Sequence, residues 1–516
     1  MGEAVRKLEP ERPVIESFNP ATGEKIGEVP SMSESEAIDA MRRVQAAQKK
    51  WAKTSFAERA EKVLAFRQQI LDHIDELAEL ITKENGKTKQ EAISMELMPV
   101  ADLATYFAKR AEKILARQPI KMHLLKHKRS YLHYRPRGTV LIISPWNFPF
   151  SITFGEVCMA LMAGNGVAIK PASLTPLIIT RGAKLFYDAG LDPDLLQVVT
   201  APGRVASKMI ETGLANYVNF TGSVETGKKV SELCGKMLIP CSMELGGKDA
   251  LIACEDADLE RTARGVVWGG FANAGQVCAS VERVYAVGRI YQPLVKRVVE
   301  LTNELRMGNP LDDKTDVGAM CDPGQLEIVE KQIKAALASG AKALTGGKRP
   351  EGKGQFYPPT VLVDVTEDME AIYDETFGPT LPIMKVASEE EAIQRANTSR
   401  FGLNAYVFTN DVAKGRRIAE QLEAGTIMIN DVLYTHAAPE TPWGGVKESG
   451  VGRVHSDEGL RGLCEAYHIN YPVVSTGKSE LFWYPYSGAR YKLLRNVTRG
   501  LFSTGMGRKL NAFLGR

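Results

Sequence analysis

The sequence predicts an α/β protein with two doubly wound domains, each a parallel sheet covered by helices on both faces. The chain has 516 residues, which is too long for one hydrophobic core and indicates at least two domains. From Gly138 onward, short apolar runs typical of buried strands alternate with segments of helix length. Such alternation indicates a parallel sheet with crossover helices. A second alternating region covers about 250–440.

The apolar patterns place the individual elements. Residues 35–118 are predicted to be helical, because apolar positions recur at helical spacing, most clearly from Ala57 to Ile81. The first alternating region contains the strand candidates GTVLIIS, VAIKPAS, LLQVVTA and ANYVNF. The second contains ALIAC, VERVYAV, PPTVLVDV, LPIMKV, AYVFT and GTIMIN. In 120–140, basic and apolar residues alternate, which fits a projecting hairpin and a solvated loop equally well.

Composition and charge exclude several classes of protein. Hydrophobic residues make up 44% and charged residues 25% of the chain, as in ordinary globular proteins. A formal net charge of +3 does not by itself indicate nucleic-acid binding, so no nucleic-acid partner is expected. The seven cysteines show no clustered spacing, and the seven histidines include no HxxxH pair. We therefore expect neither a disulfide framework nor a metal site.

The sequence also gives an expected location. The N-terminal MGEAVRKLEPERP is charged and has no apolar segment of the kind found in secretory signals. It lacks the Ser or Thr at position 6 that N-myristoylation requires. No run of about 18 apolar residues is present to span a bilayer. These features, with unpaired cysteines, predict a cytoplasmic protein.

The segment YVNFTGSVETGKKVSELCG predicts a strand that ends at Phe220, a tight turn at Thr221-Gly222-Ser223 and a helix that begins near Val224. Glycine in the turn permits close approach of a ligand, and the free N–H groups of a helix start favour phosphate. The spacing differs from the usual GxGxxG pattern of dinucleotide-binding turns. An ordinary strand-to-helix turn remains the alternative.

The segment FANAGQVCAS places Cys278 in a glycine-containing turn just before a strand. Most isolated cysteines are small buried apolar residues. The small or polar neighbours Asn273, Gly275 and Gln276 instead favour an accessible and reactive thiol.

Two further segments carry candidate polar groups. In SMELGGKDALI, Glu244 precedes two glycines, which places a carboxylate at a strand edge that faces a cavity. A capping or salt-bridged glutamate is the alternative. In ISPWNFPF, Asn147 follows a strand, where its amide could donate a hydrogen bond to a developing oxyanion. The alternative there is a proline-rich turn.

Eight segments together resemble the aldehyde dehydrogenase superfamily, in particular its NAD(P)+-dependent, non-acylating members. They occur in the family's order and spacing over about 15–470 and are PWNFPF, KPAS, FTGSVETG, MELGGKDALI, FANAGQVCAS, ETFGPTLPI, FGLNAYVFT and PWGGVKESGVGR. The resemblance implies two Rossmann-like domains, one for the cofactor and one for catalysis, with a small β oligomerisation element. It also implies an aldehyde substrate, NAD or NADP as cofactor, and a homodimer or homotetramer.

The resemblance assigns expected roles residue by residue. It implies that Cys278 is the nucleophile, that Glu244 is the general base, and that Asn147 forms the oxyanion hole with the Cys278 backbone N–H. The expected cofactor-binding residues include one lysine for the adenosine ribose, a pyrophosphate turn, and a pair that positions the nicotinamide riboside. The full cofactor set is Lys170, Ser173, Gly203, Gly222, Ser223, Glu375, Phe377 and Trp146.

One position departs from the pattern of many NAD-preferring members. They carry a glutamate three residues after the ribose-binding lysine, and its carboxylate repels a 2′-phosphate. This chain has Ser173 at that position. We therefore expect NADP+ to be tolerated.

The resemblance also suggests domain boundaries. The dinucleotide-binding domain is expected at 1–119 and 141–246, and the catalytic domain at 247–465. An oligomerisation element is expected from 120–140 with 466–480.

The expected substrate is apolar. The residues predicted near the substrate tunnel are mostly apolar or aromatic, namely Phe148, Cys158, Met162, Trp268, Phe271 and Tyr434. They favour medium- or long-chain aliphatic or aromatic aldehydes over small polar semialdehydes. A semialdehyde dehydrogenase or a coenzyme A-acylating enzyme is the alternative within enzymes, although the retained Glu244 speaks against acylation. An inactive scaffold or binding protein is the alternative from another class.

The C-terminal tail, 481–516, contains seven Lys or Arg and no Asp or Glu. Apolar residues recur at helical spacing in 489–502 with basic residues among them. A basic amphipathic helix with aromatic neighbours predicts peripheral contact with an anionic membrane. Packing against a neighbouring subunit or the chain's own body is the alternative, since Gly500, Gly505 and Gly507 are expected to interrupt the helix.

Overall fold

The computed structural model describes residues 12–474 and 478–515. The chain forms two compact units. The larger unit comprises Met1–Ala116 with Tyr134–Ala466, and the smaller comprises Arg117–His133 with Tyr467–Arg516. Among the described residues, no helix has the length and apolar character needed to cross a bilayer.

The strands of the described chain, in order, are β1 Val14–Phe18, β2 Lys25–Pro30, β3 Gln118–Ile120, β4 Lys128–Pro136, β5 Thr139–Ile143, β6 Gly166–Lys170, β7 Leu196–Val198, β8 Tyr217–Thr221, β9 Cys241–Glu244, β10 Asp249–Ala253, β11 Val281–Val287, β12 Lys342–Ala343, β13 Thr360–Val363, β14 Thr380–Val386, β15 Asn404–Phe408, β16 Thr426–Ile429, β17 Gly450–Val451 and β18 Cys464–Pro472. All ten strands predicted in the two alternating regions are present within a few residues of their predicted bounds.

The α-helices are α1 Glu34–Trp51, α2 Phe56–Asp72, α3 Ile74–Asn85, α4 Lys89–Glu91, α5 Met98–Ile114, α6 Pro149–Met162, α7 Pro176–Asp188, α8 Gly203–Glu211, α9 Val224–Met237, α10 Leu259–Phe271, α11 Tyr291–Glu304, α12 Pro323–Ala338, α13 Glu370–Tyr373, α14 Glu389–Asn397, α15 Val412–Ala419, α16 Ser456–Gly462, α17 Gly488–Phe502 and α18 Met506–Phe513. A π-helical segment, Ala92–Leu97, joins α4 to α5. The prediction of helices over 35–118 is confirmed.

The first sheet has the strand order β17-β9-β8-β5-β6-β7, and all its pairs are parallel except β17 with β9. After β5 the chain builds β6 and β7 on one side and then β8 and β9 on the other. The strand order therefore reverses between β5 and β8. In doubly wound sheets, ligands bind at the carboxyl ends of strands at such a reversal.

The second sheet has the order β12-β13-β14-β11-β10-β15-β16 and is parallel except for β12 with β13. Its central strands β10 and β11 are buried along their whole length. The two sheets confirm the predicted fold class. The predicted domain bounds stay a prediction, and one strand of the first sheet, β17, comes from within 247–465.

The helices at the start of the chain form because their ends are capped and one face is apolar. Ser33 and Ser55 each close a capping box with the glutamate three residues on, Glu36 and Glu58. In the core, the rings of Phe66 on α2 and Phe186 on α7 stack with centroids 3.6 Å apart. The ring contact holds α2 against α7.

The smaller unit contains the predicted hairpin. Strands β3 and β4 pair antiparallel, with Pro119 opposite Tyr131, so the hairpin is confirmed over the solvated loop. The sheet order is β18-β4-β3, which leaves β18 at an edge. Every residue of β18 after Cys464 is exposed.

A buried ion pair joins the first helices to the start of α6. The Lys87 Nζ atom lies 2.7 Å from Glu96 Oε1, and both side chains are fully buried. Glu96 Oε2 accepts hydrogen bonds from the backbone N–H groups of Phe150 (3.0 Å) and Ser151 (2.7 Å) in the first turn of α6. Lys87 also donates to the carbonyl of Asn147 at 2.8 Å. The pair thus fixes the segment between β5 and α6.

We predict that Glu96→Ala lowers the free energy of unfolding by about 3–5 kcal/mol, because it leaves the Lys87 ammonium buried without a counter-charge. Denaturant unfolding followed by fluorescence and circular dichroism measures the loss. Glu79→Ala, which removes an exposed i,i+4 partner of Lys83, is the control and should cost less than about 1 kcal/mol.

The double variant Lys87→Met/Glu96→Gln should be more stable than Glu96→Ala alone, since no unpaired charge remains buried. Equal stability of Glu96→Ala and wild type would contradict the structural importance of this pair.

Candidate active site

Cys278 follows a loop with an unusual backbone. After α10 ends at Phe271, the residues Asn273, Ala274 and Gly275 have φ values of 51°, 53° and 74°. A Cβ atom on Gly275 would lie 2.1 Å from the carbonyl oxygen of Gly378, so the position accepts only glycine. The loop therefore packs directly against the chain that leads into β14.

Side chains lock this loop. The Gln276 amide donates to the carbonyl of Asn273 at 2.9 Å and accepts from the Cys321 N–H at 2.8 Å. The N–H of Asn273 donates to Glu91 Oε1 at 2.7 Å. Cys278 itself is half-buried, as the polar neighbours predict, and not sealed in the core.

Asn147 lies between β5 and α6 and is buried. Its side-chain amide nitrogen donates to the carbonyl of Gln276 at 3.2 Å, which aims the amide at the Cys278 loop. An amide nitrogen carries a second N–H, which is the donor that an oxyanion needs. The Asn147 carbonyl accepts from Lys87 and, at 3.1 Å, from the Asn273 amide. The structure thus brings Asn147 to Cys278 across 131 positions of sequence.

Glu244 is the last residue of β9 and is buried. Its carbonyl accepts from the N–H of Gly222, and the next residue, Leu245, donates to the carbonyl of Ser449 at 3.0 Å. The chain then passes over the Cys278 loop, since a Cβ atom on Gly247 would lie 2.4 Å from the Cys278 carbonyl oxygen. Glu244 and Cys278 line the same small cavity.

Burial disfavours charge on the ionisable groups that line this cavity. Burial is the main cause that raises the pKa of the Cys278 thiol. The neighbouring carboxylates Asp249, Glu244 and Glu375 raise it further. Burial also raises the pKa of Glu244, and the nearby carboxylate of Glu156 raises it further. Glu156 lines the same cavity, and burial raises its pKa to about 8. At neutral pH the thiol is therefore protonated, and burial disfavours the charged form of each carboxyl group.

A cleft of about 700 Å³ opens beside these residues. Five of the predicted cofactor residues line it together with the three predicted catalytic residues. The cofactor residues are Trp146, Gly222, Ser223, Glu375 and Phe377. The cleft lies at the carboxyl ends of β5 and β8, where the strand order reverses, and it receives the N-terminus of α9. Its shape and its helix N-terminus suit a dinucleotide with a pyrophosphate.

Glu375 and Phe377 are held by a second buried ion pair. Glu282 lies 2.6 Å from Lys248 and accepts the N–H groups of Thr376 (2.8 Å) and Phe377 (2.9 Å). Phe377 has a φ of 49° and meets Trp146 edge-on, with ring centroids 5.4 Å apart. Glu375 accepts from the Gly247 N–H at 2.9 Å, and burial raises its pKa to about 8. These bonds fix the wall of the cleft nearest Cys278.

Three predicted cofactor residues do not line this cleft. Lys170 is buried at the end of β6, where burial lowers its pKa to about 8. Ser173 is exposed, and the neighbouring Ala172 lines the cleft. Gly203 begins α8 in the open, with no atom within 4 Å of an added Cβ.

An apolar cavity of about 260 Å³ reaches Cys278 from another direction. No Lys, Arg, Asp or Glu lines it, and its residues are Ser94, Met95, Met98, Phe148, Ser151, Ile152, Trp268, Val277, Cys278, Ala279, Leu433, Tyr434, His436, Ala437 and Trp443. Phe148, Trp268 and Tyr434 were predicted here. Cys158, Met162 and Phe271 do not line it, because Cys158 and Met162 are fully buried in the core and Phe271 lines a different cavity.

Sequence reasoning missed several residues of this region. In the sequence, Glu156 is a single charged residue within an apolar helical segment. Its isolation among apolar residues was the signal that could have identified it as a functional residue. His436 meets Trp443 edge-on at 5.0 Å, and burial lowers its pKa to about 4, so it is neutral at pH 7.

Comparison with known proteins identifies relatives along most of the chain. A Mycobacterium ulcerans protein, named provisionally as a succinate-semialdehyde dehydrogenase [NADP(+)], is 36% identical over 462 residues, which are 89% of this chain and 88% of that protein. A 4,4'-diapolycopene aldehyde oxidase of Methylomonas is 35% identical over 93% of this chain and 89% of its own length.

A solved structure of the NAD+ complex of an aldehyde dehydrogenase from Bacillus cereus superposes with a TM-score of 0.86 at 32% identity. It covers 90% of this chain and 94% of that one. The profile of the aldehyde dehydrogenase family matches residues 7–469. The chain belongs to the aldehyde dehydrogenase family.

Proposed function

We propose that this protein oxidises an apolar aldehyde to the carboxylic acid, with NAD+ or NADP+ as hydride acceptor and Cys278 as nucleophile. The observation that supports it most directly is the position of Cys278. Its side chain lies where the cofactor cleft, the apolar cavity and the small cavity with Glu244 meet. A thiol in that position can reach an aldehyde and a cofactor together.

The first step forms a covalent bond. The Cys278 thiol gives its proton to water, its sulfur bonds to the aldehyde carbon as the C=O π bond breaks, and the anion of a thiohemiacetal forms. The Asn147 amide and the Cys278 backbone N–H stabilise the oxygen that becomes negative, a contribution of about 3 kcal/mol per donor.

The second step removes a hydride and releases the acid. A bound NAD(P)+ supplies the hydride acceptor. Loss of hydride from the thiohemiacetal carbon leaves a thioester on Cys278. Glu244 then takes a proton from water, the resulting hydroxide attacks the thioester, and the carbon–sulfur bond breaks to release the acid and the thiol. The presence of Glu244 in this cavity favours hydrolysis over transfer to coenzyme A, and the intact trio of Cys278, Glu244 and Asn147 argues against an inactive scaffold.

The cavity supports an apolar substrate. The names of two relatives point to different aldehydes, succinate semialdehyde and 4,4'-diapolycopene aldehyde. A semialdehyde carboxylate needs a cationic partner when buried. No Lys or Arg lines the 260 Å³ cavity, whereas Met95, Met98, Phe148 and Trp268 offer apolar surface. Medium- or long-chain aliphatic or aromatic aldehydes fit this lining best.

Assembly of the chain is proposed from the smaller unit. The exposed strand β18 is an edge with apolar side chains at Ile469 and Tyr471. Exposed sheet edges with apolar side chains are normally covered. We propose that the sheet β18-β4-β3 packs against another copy of the chain, which covers the β18 edge. The assembly would be a homodimer or homotetramer.

We predict that NAD(P)+ reduction by wild-type protein becomes more efficient with each methylene added to a straight-chain aldehyde until the cavity is filled. Each buried methylene contributes about 0.8 kcal/mol, or about a fourfold gain in kcat/KM. Absorbance at 340 nm measures the rate. Cys278→Ala should abolish turnover, while Cys241→Ala, which removes a half-buried thiol elsewhere, should retain it. Efficiency that peaks with succinate semialdehyde would contradict the apolar assignment.

We predict that Ser173→Glu raises the KM for NADP+ at least tenfold and leaves the KM for NAD+ within about threefold. The added carboxylate would repel a 2′-phosphate near the Lys170 strand end. Steady-state kinetics with both cofactors measures the ratio. Ser35→Glu, at an exposed site in the first turn of α1, is the control for the change in charge. An unchanged NADP+ KM would show that the 2′-phosphate lies elsewhere.

A further inference from the structure

Beyond aldehyde oxidation, we propose that the two C-terminal helices form a docking surface for an anionic phospholipid bilayer. Helices α17 and α18 pack against each other and belong to the smaller unit. Their turn contains Gly505, which has a φ of 86°. The expectation that Gly500 interrupts the helix is wrong, because Gly500 is buried inside α17. The expectation for Gly507 is also wrong, because it lies within α18.

The first helix exposes an apolar stripe. Tyr491, Leu494 and Leu501 recur at helical spacing and are 67%, 36% and 46% exposed. The side of α17 with Gly500 and Val497 is turned inward, since these residues are buried or half-buried. The exposed stripe therefore takes no part in the packing of α17 against α18.

The second helix continues this apolar surface. Met506, Leu510 and Leu514 occur at four-residue intervals and are 88%, 61% and 60% exposed. Ala512, on the other side of α18, is 4% exposed. Both helices thus bury small or short side chains and expose long apolar ones, which is the reverse of a helix pair designed to remain in water.

Basic side chains flank the apolar stripe. Lys492, Arg495 and Arg499 are three and four residues apart in α17, so they form a row on one side of it. Arg508 and Lys509 add two more charges in α18. The tail, 481–516, is basic, since it has seven Lys or Arg and no Asp or Glu. Because the whole chain has a formal net charge of +3, the net charge of the rest of the chain is negative. Anionic lipid head groups complement this charge.

Aromatic residues before α17 complete the surface. Trp483, Tyr484 and Tyr486 are each more than half exposed. Arg490 donates to the carbonyls of Trp483 (2.7 Å) and Pro485 (3.0 Å), which folds this aromatic segment onto the first turn of α17. Tryptophan and tyrosine favour the boundary between lipid and water, because one end of each ring system is polar. Apolar stripes, a basic row and boundary aromatics together fit a bilayer surface better than a second protein copy with the same positive charge.

The test uses the full chain and sedimentation with sucrose-loaded vesicles of phosphatidylcholine, with or without 30% phosphatidylglycerol. Wild type should bind the anionic vesicles at low salt, bind the zwitterionic ones at least tenfold more weakly, and bind the anionic ones measurably but more weakly at high salt. Lys492→Glu/Arg499→Glu should weaken binding at least tenfold, and Met506→Ser/Leu510→Ser should weaken it at both salt concentrations. Lys49→Glu/Lys50→Glu, with the same change in charge at the end of α1, should bind like wild type.

Oxidation of a short, water-soluble aldehyde should be equal in all these variants, which separates this proposal from the proposed reaction. Light scattering gives the subunit number of each variant. Failure of wild type to bind anionic vesicles, or binding that the charge reversal leaves unchanged, would overturn the proposal. A changed subunit number in the tail variants, without vesicle binding by wild type, would assign this surface to another copy of the chain.

Discussion

The geometry of the site depends on the buried ion pair of Lys87 and Glu96. Its carboxylate holds the first N–H groups of α6, and its ammonium holds the carbonyl of Asn147. The Asn147 amide in turn contacts the carbonyl of Gln276, two residues before Cys278. One charge pair thus connects the first helices, the first sheet and the loop of the reactive thiol. The second pair, Lys248 with Glu282, fixes the wall of the cleft that carries Glu375 and Phe377.

Burial gives these pairs their effect and also sets the chemistry. In a region of low dielectric, unpaired charges are costly, so the two ion pairs fix the backbone around them. The same burial leaves the Cys278 thiol and the Glu244 carboxyl with raised pKa values. A protonated thiol is less nucleophilic than a thiolate, so the raised pKa of Cys278 limits unwanted reactions of the thiol.

Much of this arrangement was predictable because it depends on local pattern. Short apolar runs located the strands, period-3.6 apolar spacing located the long helices, and small polar neighbours marked Cys278 as accessible. Glu96 and Glu282 were not predictable, because a buried carboxylate and an exposed one look alike in a sequence. Cys158 and Met162 were misplaced for a related reason. Helix α6 is buried on all sides, so its apolar residues do not reveal which of them faces a cavity.

The covalent thioester is the central claim, and mass spectrometry of a Glu244→Gln variant tests it most directly. The variant is mixed with NADP+ and a medium-chain aldehyde, quenched in acid within one turnover, and digested. The account predicts about one equivalent of NADPH per site and an acyl group on the peptide that contains Cys278, because hydrolysis is slowed without the base. Formation of NADPH at the wild-type steady rate, with no acyl group on Cys278, would contradict it.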